Sequence, residues 1–320
     1  MTRRLRIATR HWDHVLPLAL ADVGVGDREI AYSRRDVTPN LTAEPDLDVA
    51  ETSFSGYLHR RAQGDTTITA LPVFVMAGFR HRCVITRGDG PTSFAELDGG
   101  TVGLTGWPDS GNVWTRALLL GDGVRLSHTQ WRVGPLTSAH PETDRIGRLG
   151  APPNVRHTAS GETLVDGLLE GDLDAVLTPF LPPGFDHPDS GLRPLLPNVR
   201  AAEVAYFEKV RYLPGIHVLA VRTELLEHDS TLATDLVQAF DRAKRLSWSR
   251  HLKLGDVTPW SLQEWAFATR TLGEDWMPYG WSANAAMVED FLEQQRVQGL
   301  LEDPRLGTSD LFPDEVRLEP

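Results

Sequence analysis

Two arginines flank a histidine in Phe79-Arg80-His81-Arg82, between two strand-like runs of an otherwise acidic chain. A guanidinium is a rigid fork that matches a carboxylate. An adjacent imidazole can give or take a proton near neutral pH. Together they suit chemistry on a small anion, with Arg80 and His81 as reactive groups and Arg82 alternating to the other face. The competing reading is an exposed basic strand end neutralised by surface acids. A second histidine, His217, follows Tyr212-Leu213-Pro214-Gly215-Ile216, where Pro and Gly fix a bend before a strand. A buried imidazole needs polar partners. His217 is therefore either a satisfied core residue or a catalytic or ligand-facing group, and Tyr212 joins it as a candidate substrate contact.

The other candidates sit where strands give way to helices. Thr105-Gly106-Trp107-Pro108 feeds a helix start at Asp109-Ser110-Gly111-Asn112, whose free N–H groups suit an anion. Asp109 opposes this unless it turns away as the cap. Thr105, Trp107, Ser110 and Trp114 are the substrate contacts offered here, although Trp114 could equally pack between layers. Glu51-Thr52-Ser53-Phe54-Ser55 places hydroxyls at another helix start. Ser53 and Ser55 either hold a carboxylate or simply cap. His11-Trp12-Asp13-His14 has HxxH spacing with a carboxylate between, a set compatible with a divalent metal. The plainer reading is a solvated loop anchored by Trp12. GxSxG, the P-loop and a GxGxxG after a strand are all absent.

The elements that must position these groups alternate. Leu5–Ala8, Arg28–Tyr32, Leu47–Ala50, Thr66–Val73, His81–Thr86, 101–104, 130–133, 173–177 and 216–221 read as strands. Helical patterns cover Leu16–Val25, the stretch through Ala62, Asp109–Leu120, Thr163–Glu170, Leu232–Ser247, Trp260–Thr271 and Ala285–Gln298. Phe185–Arg200 is proline-rich and reads as irregular. The alternation predicts α/β layers with parallel sheets. It also predicts two lobes: lobe I from 1–87 and 213–320, lobe II from 88–212. Ligands of such folds bind where strand C-termini meet helix N-termini, in a cleft between the lobes.

Composition bounds the function. The 320 residues carry 32 Lys+Arg and 44 Asp+Glu, a net charge of −12, which disfavours nucleic acid. The single cysteine, Cys83, excludes an internal disulfide and a CxxC centre. No run of 18 apolar residues is present to span a bilayer. The N-terminal Met-Thr-Arg-Arg-Leu-Arg lacks an apolar core after its charges, so the expectation is a cytoplasmic protein without a secretory leader. The surface is compatible with self-association, but no interface is legible.

An ordered set of segments resembles the 4,5-dihydroxyphthalate decarboxylase family. They are Leu47-Asp48-Val49-Ala50-Glu51-Thr52-Ser53-Phe54-Ser55-Gly56-Tyr57-Leu58, then Leu71-Pro72-Val73-Phe74 with Phe79-Arg80-His81, and Val113-Trp114-Thr115-Arg116. Pro214, His217 and Arg222 follow, then Trp276-Met277-Pro278-Tyr279-Gly280, Asn284, Gln298-Gly299-Leu300 and Leu311-Phe312-Pro313. The resemblance implies a two-lobed type II periplasmic-binding-protein-like fold with a ligand cleft between lobes. It implies a non-oxidative decarboxylase of a hydroxylated aromatic acid, nominally 4,5-dihydroxyphthalate to protocatechuate. On that reading Arg80 clamps a carboxylate. His81 or His217 delivers the proton, the other histidine or His14 serves the phenol, and Ser53 and Ser55 hold the second carboxylate. The chemistry needs no organic electron sink, while a metal at His11, Asp13 and His14 stays open. The loop 103–112 departs from the family pattern, and its Trp107 would reshape the pocket. The alternatives are a non-catalytic solute-binding protein and another small-molecule enzyme of the same fold.

Overall fold

The protein is described by a computed structural model covering residues 4–139, 152–255 and 258–320. In chain order its first half carries β1 (Leu5–Arg10), α1 (Leu16–Ala19), β2 (Ile30–Arg35), β3 (Val49–Ser53), α2 (Phe54–Ala62), β4 (Ile68–Ala77), β5 (Val84–Arg87), β6 (Thr101–Leu104), α3 (Ser110–Gly121), β7 (Gln130–Val133) and β8 (Val155–His157). Then come α4 (Leu164–Glu170), β9 (Ala175–Leu177), β10 (Leu192–Pro194), α5 (Val199–Val210), β11 (Gly215–Arg222), α6 (Thr223–His228), α7 (Leu232–Leu254), α8 (Ser261–Leu272), α9 (Trp281–Val297) and α10 (Thr308–Leu311).

The chain forms two compact units. The first comprises Met1–Ala77, Arg211–Asp290 and Arg305–Pro320; the second comprises Gly78–Val210 and Phe291–Pro304. The boundaries expected at 87/88 and 212/213 thus fall at 77/78 and 210/211, and residues 291–304 join the second unit. The cause is hydrogen bonding: β5 pairs with β9 and β10, and Gln298 bonds Arg116 of α3.

The first unit holds a sheet of order β2-β1-β3-β11-β4. β1 runs parallel to β2 and β3, whereas β11 is antiparallel to β3 and β4. The start of β11 therefore lies beside the end of β3, with His217 opposite Ser53. Ile7, Val49, Leu71, Val73, Val218 and Ala220 are fully buried in this sheet. The second unit holds a sheet of order β10-β5-β9-β6-β7-β8, parallel from β9 to β8 and antiparallel at β5. Its core packs Ile85, Leu136, Leu164, Leu168, Leu173, Val176 and Phe185. Both sheets are mixed, which corrects the expectation of parallel sheets.

Two local expectations also change. The helix expected over Leu16–Val25 stops at Ala19, because Ala21 adopts φ +59° and Gly26 follows with φ +54°. The stretch expected to be irregular before Arg200 holds β10 and the start of α5. The proline of β10 is tolerated because that strand is a sheet edge. Asn198 caps α5 by accepting the Ala201 N–H at 3.0 Å. Among the described residues no helix is long and apolar enough to cross a membrane.

Candidate functional site

In the first unit, the middle of β3 carries an acid, Glu51. Residues two apart on antiparallel neighbours share a face, and Glu51 sits diagonally across from His217 in the β3–β11 register. Register irregularities against β4 on both sides of His217 bend β11 there. His217 Nδ1 meets Glu51 Oε1 at 2.5 Å, with the Glu51 side chain fully buried. The other carboxylate oxygen, Oε2, accepts the Arg10 backbone N–H at 2.7 Å and the Trp12 indole N–H at 2.8 Å. Burial pushes the Glu51 carboxyl up, but His217 and these two donors outweigh it and hold it below the usual carboxylate range. An anionic Glu51 fixes His217 with Nδ1–H inward and Nε2 as the free ring nitrogen. This is an imidazole oriented and supported for proton transfer.

The charge of Glu51 acts on three further polar groups, His14, Tyr32 and Tyr279. The His14 ring stands 6.4 Å from the Trp12 ring. Among the described residues its Nε2 is buried without a partner, and burial pulls its pKa down to about 4. Tyr32 shares a hydrogen bond with Thr9 Oγ1 at 2.9 Å. Tyr279, 2% exposed, buries its hydroxyl without a partner among the described residues. Lys244 lies 4.5 Å over the Tyr279 ring and is bound to both oxygens of Asp275 at 2.8 Å. Burial raises the pKa of both tyrosines.

The HxxH pair separates. His11 turns outward, 48% exposed, and meets Asp36 at 3.3 Å, while His14 turns inward. Asp13 points into solvent at 96% exposure. The short 3-10 turn Asp13–Val15 causes this split by rotating His14 away from the strand end. His11, Asp13 and His14 thus do not converge on a metal. Among the described residues no three His, Cys, Asp or Glu side chains do. Ser53 caps α2 by accepting the Gly56 N–H at 3.3 Å, and Ser55 is fully buried in the first turn. Tyr212 is half-buried and hydrogen-bonds Asp290.

In the second unit, Arg80 is 2% exposed and its Nε donates to Thr115 Oγ1 at 3.5 Å. Its terminal nitrogens have no carboxylate partner among the described residues. A Cβ at Gly111 would stand 2.6 Å from Arg80 Nη2, so the guanidinium lies against the first turn of α3 because residue 111 is glycine. Burial lowers the Arg80 pKa. Asp109 makes no side-chain cap on α3. Its carboxylate folds back over Gly106, where a Cβ would meet Oδ2 at 2.6 Å.

The loop before α3 is held from several sides. Asn112 donates to Gly106 O, and Arg116 donates to Trp107 O, each at 2.8 Å. The Arg116 guanidinium also stacks 3.8 Å over the Trp107 ring. Arg116 is fully buried, and burial lowers its pKa to about 9. Thr105 is half-buried beside this loop, whereas Trp107, Ser110 and Trp114 are buried. Trp114 packs on Phe291 at 5.2 Å, the core reading.

His81 sits among aromatic rings. Its ring lies 5.4 Å from Tyr206, 6.1 Å from Phe94 and 6.4 Å from Phe79. Burial alone pulls its pKa down to about 4, so it is neutral at pH 7. A neutral ring in an aromatic cluster is a poor proton donor, which corrects the role expected for it.

Sequence reading missed Glu51 as a carboxylate partner, along with Tyr32, Tyr279 and Arg116. The available signal was an acid closing the apolar run Leu47–Ala50.

No family model matches the chain. A 4,5-dihydroxyphthalate decarboxylase of Comamonas testosteroni is 29% identical over 324 residues, covering 97% of this chain and 96% of the relative. One from Pseudomonas putida is 31% identical over 190 residues, covering 57% of this chain and 72% of the relative. Among solved structures, the Escherichia coli periplasmic aliphatic sulphonate binding protein SsuA aligns with a TM-score of 0.56 at 14% identity, over 99% of this chain and 94% of that one. The desulfurization enzyme DSZB aligns with a TM-score of 0.50 at 15% identity, over 98% of each chain. The fold is thus that of the periplasmic binding proteins. It is common to a binding protein and an enzyme, so function must be argued from side chains.

Proposed function

Since this chain belongs to the 4,5-dihydroxyphthalate decarboxylase family, we propose that it is a carboxy-lyase that converts 4,5-dihydroxyphthalate to protocatechuate without oxidation. The observation that carries the reading is the buried Glu51–His217 pair, a proton-transfer device that a solute-binding protein has no use for.

The hydroxyl para to the departing carboxylate pushes electron density to the carbon that bears it. His217, held by Glu51 at Nδ1, gives a proton from Nε2 to that carbon. The carbon–carbon bond then breaks, its electron pair restores the aromatic ring, and carbon dioxide leaves. The substrate dianion plus one proton becomes the product monoanion plus carbon dioxide. Glu51 stabilises the imidazolium and fixes the tautomer. His14, neutral at pH 7 with an unpartnered Nε2, is the group suited to accept a phenolic hydrogen bond.

The test is carbon dioxide release and substrate loss with 4,5-dihydroxyphthalate and a panel of hydroxybenzoic and phthalic acids, with and without EDTA. Turnover that disappears in His217→Gln supports the reading. Saturable binding without turnover would replace it with a solute-binding role. Loss of turnover with EDTA would add a metal.

A further inference from the structure

The first unit contains a phenol that folding leaves idle. The hydroxyls of Tyr32, Tyr57 and Tyr212 are bonded to Thr9, the Leu311 carbonyl and Asp290. The Tyr279 hydroxyl is buried without a partner among the described residues. A buried polar group left unpaired is costly. The loop that carries it is nevertheless fixed from three sides. Lys244 Nζ donates to both oxygens of Asp275 at 2.8 Å and to Met277 O at 2.9 Å. Asn284 Nδ2 donates to Pro278 O at 2.9 Å and to Gly280 O at 2.8 Å. The Gly280 N–H donates to Pro72 O at 2.9 Å. The Lys244 ammonium also stands 4.5 Å over the Tyr279 ring. Ring and loop are held while the hydroxyl is not, the arrangement of a group kept for a ligand.

A complementary group accompanies it. His14 bonds the Val75 carbonyl through one ring nitrogen, and its Nε2 is buried without a partner among the described residues. With Nδ1–H spent on Val75, Nε2 is an acceptor. Tyr279 keeps its proton as a donor, because burial pushes its pKa up and Tyr32, Asp241, Asp275 and Glu51 add to the shift. An idle acceptor and an idle donor, both in the field of Glu51, match two neighbouring ring hydroxyls, one giving a hydrogen and the other receiving one.

Resting on the decarboxylase reading above, we propose that Tyr279 is a specificity-determining residue that donates a hydrogen bond to the substrate hydroxyl para to the retained carboxylate. His14 then takes the hydrogen of the adjacent hydroxyl, the one para to the carboxylate that departs. The two contacts differ in consequence. Electron density leaves the oxygen at His14 as the ring accepts a proton, so an acceptor there strengthens in the transition state. The oxygen at Tyr279 is meta to the departing group and is not conjugated with the protonated carbon. Its bond is the same in the ground and transition states, so Tyr279 acts on KM and leaves kcat nearly constant.

The experiment measures binding of 3,4-dihydroxybenzoate, 4-hydroxybenzoate and 3-hydroxybenzoate by calorimetry, the melting temperature, and kcat and KM for 4,5-dihydroxyphthalate. It compares the native protein with Tyr279→Phe and His14→Asn. The asparagine amide keeps a donor for the Val75 carbonyl and removes Nε2. Tyr279 meets the 4-hydroxyl of these ligands and His14 the 3-hydroxyl. Tyr279→Phe should weaken 3,4-dihydroxybenzoate and 4-hydroxybenzoate by about 2- to 12-fold, the range of a neutral hydrogen bond, and raise KM to match. It should leave 3-hydroxybenzoate unchanged and the melting temperature equal or higher, since no bond within the protein is lost. His14→Asn should show the reverse preference between the two monohydroxy ligands. Equal weakening of all three ligands with a lower melting temperature would give the Tyr279 hydroxyl a structural role and overturn the proposal. Unchanged binding of all three in Tyr279→Phe, or no binding by the native protein, would overturn it as well. Absence of carbon dioxide release by the native protein would overturn the decarboxylase reading, while the binding comparison would still decide what Tyr279 contacts.

Discussion

A carboxylate buried within a β-strand is costly unless it is hydrogen-bonded. Glu51 is bonded by His217, the Arg10 N–H and the Trp12 indole. Glutamine at position 51 would keep the volume but lose the charge that stabilises an imidazolium. One of its amide hydrogens would also face a donor. Glu51→Gln should therefore lower kcat by about 10²- to 10⁴-fold, the range of general acid–base catalysis, with little change in KM. Steady-state kinetics check this, and a fall confined to KM would argue against a proton-transfer role. This pair shows how far single residues were legible. His217 and the acid-bearing segment at Glu51 each stood out, because a bend before a strand and hydroxyls at a helix start are local signals. Their partnership was hidden, since it depends on strand register between residues 166 apart. The same limit explains His81. Its neighbours in sequence are arginines, but its neighbours in space are aromatic.

At the scale of elements, β11 delivers His217, and glycine decides where β11 begins. A Cβ at Gly215 would stand 2.6 Å from Phe74 Cδ1 and 2.7 Å from Met287 Cε. Gly215→Ala must push β11 away from β4, at a cost of about 1–3 kcal/mol for overpacking. The shift occurs two residues from His217, so kcat should fall alongside the melting temperature. Unchanged kcat with reduced stability would show that the strand end tolerates displacement. The C-terminal segment is a second such device. Leu311 accepts the Tyr57 hydroxyl at 2.5 Å, and the Phe312 ring lies 6.2 Å from Phe54 and 6.3 Å from Phe74. Phe312→Ala should cost about 3–5 kcal/mol, read from denaturant unfolding. Helix α5 was not legible in the sequence, because the prolines before it masked its Asn198 cap.

At the scale of the whole molecule, each unit contains a histidine that folding keeps neutral. Burial lowers the pKa of His14 in the first unit and His81 in the second from an ordinary 6.5 to about 4. Between those values the unfolded chain binds protons that the folded chain refuses, so stability falls as pH falls. Each histidine contributes about 1.4 kcal/mol per pH unit across this window, and below about pH 4 their loss is complete. Glu51 titrates lower, since its folded pKa lies beneath 4.5, and its contribution is lost only as pH falls through that range. The interval from pH 6.5 to 5 lies above the Glu51 range, so the histidines act there without it. His81→Phe tests the account because the site is already aromatic and Nδ1 has no partner to lose. Denaturant unfolding from pH 7.5 to 5 should show a shallower decline in this variant, with stability at pH 7.5 equal or higher. An identical decline would mean that the acid sensitivity originates in other groups. A decline that vanishes entirely would assign it to the second unit alone and remove His14 from the account.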